Sequence, residues 1–294
     1  MIRRPILTGL LLALAILSAS CSPASSSQTS QEATTYIENK GSDTIVNLAL
    51  AWAEYYQSEY PDVRISVTGG GSGTGIAALI NGTVDIANAS RQIKSEEVSE
   101  AQSNGVDPVE FVIARDAIAV IVNPENPVDE LTLEQISDIY SGKINNWSEV
   151  GGEDRPIVRL SRETNSGTHV YFLETVLRLG QKDNDTLFSR DTLLLPSSEG
   201  IVAEVRQNPN AIGYDGLGYV PPDLKMIAIA KEESGEYVLP SVESVNNATY
   251  PIARDLYMYT AGEPSGTVKI YLEWIINSDE AQGIVKELGF VPIK

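Results

Sequence analysis

From residue 36 onward, short β-branched runs alternate with amphipathic helical patterns, and no other feature constrains the fold as strongly. VRISV (63–67) leads into IAALI, VDIANA (84–89) into KSEEVSEAQS, and IVRL (157–160) into HVYFLETVLRL. Strands joined through helices at this spacing predict an α/β fold with largely parallel sheets covered on both faces. Such sheets bind ligands beyond the carboxyl ends of their strands, where helices begin.

Four strand-to-helix turns share one chemistry. KGSDT (40–44) opens a helix over 44–60 whose Ile45, Leu48, Ala49, Trp52 and Tyr56 mark one face. GGGSGTG (69–75), NASRQI with Ser90 and Arg91, and SRETNSGT (161–168) are the others, and each is expected to place a hydroxyl at a helix start. A helix N-terminus leaves up to four amides unpaired and carries about half a positive charge, so it attracts anions. Glycine lets the backbone approach a ligand, and serine or threonine adds a neutral donor. Several such ends meeting at one point would replace the hydration shell of a small oxyanion.

Capping is the simpler explanation for some of these residues. Ser42, Asp43 and Ser166 are good N-cap types, and SGT at 265–267 is read as capping alone. GGGSGTG holds five glycines in seven residues, far more than a turn requires, and points to ligand contact.

Other chemistry finds little support. GTGIAA (73–78) matches a dinucleotide fingerprint formally, but the next strand ends in NASR rather than in an acid for a ribose. No lysine stands where a phosphate-binding loop of nucleotide enzymes needs one, and Gly70-Gly71-Ser72-Gly73-Thr74 lacks the last glycine of a nucleophile elbow. His169 is the only histidine and Cys21 the only cysteine, which leaves almost no zinc ligands and no disulfide. His169 is expected on a helix surface, with no base beside any candidate serine; no cofactor, metal or enzymatic activity is therefore expected. The 21 basic against 40 acidic residues, a net charge of −19, oppose nucleic acid and anionic membrane surfaces as partners.

The N-terminus reads as a targeting segment. Arg3 and Arg4 precede an apolar run from Ile6 to Leu17, about 18 Å of helix, too short for a hydrocarbon core of roughly 30 Å. Residues 1–20 are therefore expected to be a signal peptide of an exported protein. Cys21 follows small residues and resembles the lipidated cysteine of bacterial lipoproteins, which implies a membrane anchor; free secretion after cleavage near Ser20 is the alternative. Residues 21–35, rich in Ser, Thr and Gln, read as a flexible tether.

GSDT, GGGSGTGIAALINGTVDIANASR, AVIVNP, LTLEQISDIYSGKINNWSEVGG, SRETNSGTHVYF, NPNAIGYDGLGY, YPIARDLYMYT and GFVPI together resemble the phosphate-binding subunits of bacterial ABC-type phosphate importers, over nearly the whole mature chain. The resemblance implies a two-lobed periplasmic-binding-protein-like fold (type II), each lobe a mostly parallel sheet flanked by helices, joined by two crossover strands. Lobe I would be 36–116 with 250–294, and lobe II 117–249. It implies a monomer that closes over one phosphate and docks on a membrane permease, in the periplasm or at the cell surface.

Carried over residue by residue, the phosphate-binding set is Ser42, Asp43 and Thr44, then Gly71, Ser72, Gly73 and Thr74, then Ser90 and Arg91, then Arg162, Ser166, Gly167 and Thr168. Some members of the family carry an aspartate at the position of Arg91, where it accepts the proton of the phosphate dianion. Here Asp43, Asp116 and Glu163 are the candidate acceptors, and Glu163 is also a candidate to orient Arg162. Sulfate, molybdate or tungstate are alternative ligands, and an exported phosphatase is the more distant alternative.

Overall fold

The computed structural model describes residues 34–294; the expected signal peptide, Cys21 and nearly all of the tether lie outside them. The elements in chain order are β1 (Thr35–Gly41), α1 (Asp43–Glu59), β2 (Val63–Thr68), α2 (Ser72–Ile80), β3 (Ile86–Ala89), α3 (Ser95–Ser103) and β4 (Val109–Val122). Then come β5 (Glu130–Thr132), α4 (Leu133–Ser141), β6 (Val158–Arg162), α5 (Gly167–Phe172), β7 (Leu193–Leu195), α6 (Ser198–Gln207), β8 (Ala211–Gly216), β9 (Lys225–Met226) and β10 (Ala228–Ala230). The chain closes with α7 (Val242–Asn246), β11 (Ala253–Thr260), α8 (Gly266–Asn277) and α9 (Asp279–Glu287).

Eight strands run in the order β2-β1-β3-β11-β4-β8-β6-β7, with β9 added beside β4, while β5 and β10 form a separate pair. The strands followed by site turns, β1, β2, β3 and β6, pair in parallel with β1–β2, β1–β3 and β6–β8 registers. Strand β4 joins the two halves of the sheet: residues up to Ala117 pair with β11, and residues from Ile118 pair with β8. The returning chain runs beside it, where the Ile118 amide donates to the Ile252 carbonyl.

Periodicity explains the helices. In α1 the expected stripe Ile45, Leu48, Ala49, Trp52 and Tyr56 is fully buried, packed with Ile37 and Ile86 of the sheet and with Tyr271 and Val285 of α8 and α9. The opposite face of that half is covered by Ile76, Leu79 and Ile80 of α2. In the other half, Tyr140, Phe172 and Tyr214 form the core on one face and Ile201 and Val205 of α6 cover the second. Thr132 starts α4 by accepting from the Gln135 amide while the Gln135 side chain returns to the Thr132 amide, and Gly142 in a left-handed conformation ends it.

Three local expectations are corrected. Ser90 does not begin a helix: β3 ends at Ala89, and α3 starts only at Ser95. Ser265 stands at the N-cap of α8 without making a side-chain capping bond. Strand β1 begins at Thr35, one residue inside the stretch read as tether.

Candidate functional site

The carboxyl ends of β1, β2, β3 and β6 deliver their turns to one buried place. Thr44, in the first turn of α1, lies with its Oγ1 2.8 Å from Thr168 Oγ1, in the first turn of α5. Ser72, the first residue of α2, accepts from the Ser90 amide at 3.0 Å, and the two serine hydroxyls are 3.3 Å apart. Gly167 sits against both: a Cβ there would lie 2.3 Å from Ser72 Oγ and 2.5 Å from Ser90 Oγ, so only glycine lets the start of α5 approach. Ser42, Ser72, Ser90, Ser166 and Thr168 are all buried, which is unusual for so many hydroxyls in one cluster.

Capping accounts for one of these hydroxyls and not for the rest. Ser166 accepts from the Thr168 amide at 3.2 Å, as an N-cap should. Ser42 holds the N-cap position of α1 without a side-chain capping bond, and the N-cap of α2 is Gly71, so Ser72 is not a cap. Gly71 has φ +90°, and a Cβ on it would meet the Asn165 carbonyl at 2.8 Å. The glycine-rich turn thus reaches the 161–168 turn across the molecule. The Gly73 amide donates to Asn165 O at 3.1 Å, and Asn165 Nδ2 donates to Gly70 O at 2.9 Å.

Arg162 ends β6 with its side chain 1% exposed. Nη2 donates to Asp43 Oδ2 at 2.8 Å and to Pro196 O at 2.9 Å, and Nη1 donates to Ser198 Oγ at 2.9 Å. Its Nε is buried with no partner among the described residues. A buried, unpartnered donor on a guanidinium is costly unless a ligand takes it. Asp43 also accepts from the Gly70 amide through Oδ1, so both its oxygens are engaged.

Several expected residues are not drawn into this cluster. Arg91 turns away: Nη1 and Nη2 form a fork with both Glu97 oxygens at 2.8 and 2.6 Å. Burial would lift the Glu97 carboxyl, but Arg91 and the Lys94 amide hold it below its ordinary range. Thr74 returns its hydroxyl to the Gly70 carbonyl at 2.6 Å, and the Gly73 amide is engaged by Asn165. Glu163 is exposed; Asp43, Ser198 and Pro196 orient Arg162 in its place.

His169 is also corrected, from helix surface to interior. Its ring stacks on Phe188 at 4.6 Å and its Nδ1 lies 3.0 Å from Ser161 Oγ, while burial lowers its pKa. A base therefore does stand beside a serine, contrary to expectation. Ser161 has no exposed surface, and its hydroxyl is shared with the Tyr214 phenol at 2.6 Å.

Sequence reasoning missed Arg254 and Asp215. Arg254, in β11, faces Asp116 in β4 and extends to Thr44, Thr168 and the Ser90 carbonyl. Asp215, the next-to-last residue of β8, lies beside Arg162, accepting from Ser198 Oγ and the Gly216 amide through Oδ1, while Oδ2 is buried without a partner among the described residues. Burial pushes the Asp215 carboxyl up to about 6, against the pull of Arg162. A signal existed for the first: the tripeptide Ala-Arg-Asp occurs at 114–116 and at 253–255, each within an apolar strand pattern. Charges in such a pattern are buried only when paired. The antiparallel register sets Arg254 against Asp116 and Asp255 against Arg115.

Comparison with known proteins agrees with this geometry. A family model described as a PBP superfamily domain matches residues 26–280. The chain is 32% identical over 274 residues to the phosphate-binding protein PstS of Pseudomonas aeruginosa, covering 87% of this chain and 83% of that protein. It is 30% identical over 295 residues to PstS of Bacillus subtilis, covering 97% and 92%. A crystal structure of a phosphate ABC transporter substrate-binding protein from Clostridium perfringens with bound phosphate is 34% identical, with a TM-score of 0.78 over 88% of this chain and 100% of that one. An ABC-type phosphate transport receptor from Vibrio cholerae is 29% identical, with a TM-score of 0.69 over 87% and 99%. A two-lobed α/β fold, hydroxyl-bearing turns gathered from distant segments, and near full-length similarity converge on one assignment: the chain belongs to the PstS family of phosphate-binding proteins within the PBP superfamily.

Proposed function

We infer that the protein binds inorganic phosphate outside the cytoplasm and delivers it to the membrane permease of an ABC importer, without chemical conversion. The observation that supports this most is the meeting of Thr44, Ser72, Ser90 and Thr168 hydroxyls from four separate turns, beside an arginine whose buried Nε lacks a partner among the described residues. Helix N-termini, hydroxyls and a guanidinium in a site without water interact strongly with a small multivalent oxyanion. The net charge of −19 does not oppose this, because donors in contact with the anion outweigh surface charges beyond a Debye length of ~8 Å.

In this reading residues 36–116 with 250–294 and residues 117–249 are lobes that close about the β4 and β11 connection, and the closed form docks as a monomer. Cys21 carries a lipid anchor. Asp215 accepts the proton that phosphate, and not sulfate, carries near neutral pH. The former candidates Asp43 and Asp116 have both oxygens engaged, and Glu163 is exposed.

Calorimetric titration of the purified protein with phosphate, sulfate and molybdate tests the function. One phosphate per chain, with sulfate and molybdate far weaker, is expected; stronger binding of another oxyanion would reassign the ligand. Gly167→Ala is expected to weaken phosphate binding about 10- to 100-fold, because the added methyl forces Ser72 and Ser90 apart. The same titration checks it.

A further inference from the structure

We propose that Arg254 is a positioning residue that sets which way the two threonine hydroxyls of the site point, so that the pair presents its one free proton to the anion. This role rests on the phosphate reading above. The guanidinium is buried, with its side chain 2% exposed against a fully buried Asp116. Nε and Nη2 donate to Asp116 Oδ2 at 3.3 and 3.0 Å. Nη1 donates to the Ser90 carbonyl at 2.8 Å, and Nη2 also reaches Thr168 Oγ1 at 2.9 Å and Thr44 Oγ1 at 3.4 Å. The Tyr171 ring lies 5.5 Å from the guanidinium carbon.

Hydrogen-bond accounting gives the consequence. An arginine only donates, so both threonine oxygens act as its acceptors. The two oxygens are 2.8 Å apart, so one hydroxyl proton is used between them. The pair then has one proton left, and the guanidinium repels it to the side facing away from Arg254. Without Arg254 the same pair is free to turn lone pairs toward the anion, which repels it. The Ser90 carbonyl is withheld from the anion in the same way, because Nη1 occupies it. Asp116 balances the arginine's charge, so the contribution is orientation rather than net attraction. Thr44 belongs to α1 and Thr168 to α5, so one side chain on a crossover strand fixes donors from both halves of the sheet.

A double-mutant cycle separates this role from simple support of the fold. Arg254→Lys keeps the charge facing Asp116 but loses the planar fork. Phosphate calorimetry is expected to show Arg254→Lys and Thr168→Val each weakening binding about 10- to 100-fold, with Arg254→Lys costing clearly less in the Thr168→Val background than in the wild type. Additive losses, or wild-type affinity in Arg254→Lys, would overturn the proposal. If Arg254→Lys does not fold, Arg254→Met combined with Asp116→Asn removes the buried pair without leaving an isolated charge, and is run through the same cycle with the same outcomes. A wild-type protein that ignores phosphate would defeat the function itself; one that binds phosphate but gives an additive cycle defeats only the role of Arg254.

Discussion

Arg162→Ala is expected to lower phosphate affinity by two to three orders of magnitude, because it removes the buried guanidinium and leaves two carboxylates facing an anion. Arg162 now lies between Asp43, held at 2.8 Å, and Asp215, at 4.0 Å. Both acids remain after the truncation, and at short range in a dry site their repulsion of a dianion is larger than any contribution a hydroxyl could supply. Arg162→Lys keeps a charge but not the fork that serves Asp43, Ser198 and a ligand together, so its loss is expected to be smaller, about 10- to 100-fold. Ser265→Ala, at a helix start that makes no capping bond, is the control and is expected to bind as the wild type does. Calorimetry giving Arg162→Ala and Ser265→Ala equal affinities would remove Arg162 from the site.

Asp215→Asn is expected to cut the preference for phosphate over sulfate by about 10²- to 10³-fold. A site built around an acceptor rejects the ligand that has no proton to offer, since the acceptor then faces an oxygen lone pair. Asparagine can present an amide donor at that point, so sulfate gains what phosphate loses. Competition titrations of the two anions read this directly, and an unchanged ratio would exclude Asp215 as the acceptor.

The pH dependence follows from the same group. Only ionised Asp215 accepts, and its carboxyl sits at about 6, so phosphate binding loses this contribution as pH falls through about 6. Asp215→Asn is expected to lack that step, which separates it from the titration of phosphate itself. The effect on the unliganded fold has the opposite sign. The folded value lies above the ordinary 3.8, so the native state holds the proton more tightly than the unfolded chain. Its ionisation therefore costs stability as pH rises from about 3.8 to about 6, and thermal melts of the wild type against Asp215→Asn would show the difference narrowing in acid.

What was legible in the sequence was local. The stripe on α1 is a matter of 3.6-residue spacing, and all five of its predicted residues are buried. The glycine excess in 69–75 points to ligand contact in the sequence; in the structure Gly71 packs on Asn165 and Gly75 on Lys40, contacts a side chain would block. What was not legible depends on partners far away in the chain. Arg254 acquires its role from Asp116, 138 residues earlier, and the free oxygen of Asp215 has meaning only once Arg162 is placed beside it. Arg91 looked like a ligand by its place after a strand, yet Glu97 lies six residues on, where the turn into α3 folds it back. A helix start is usually wet, which is why His169 is expected at the surface; the Phe188 ring stacks on this one.

Turns near positions 44, 72, 90 and 168 are expected to surround one tetrahedral anion together with Arg162. Crystals grown with arsenate, a phosphate mimic that scatters X-rays anomalously, test it most directly. A single anomalous peak is expected, its oxygens about 3 Å from the Thr44, Ser72, Ser90 and Thr168 hydroxyls and from Arg162. A peak elsewhere, with those groups still bonded only to one another, would contradict it.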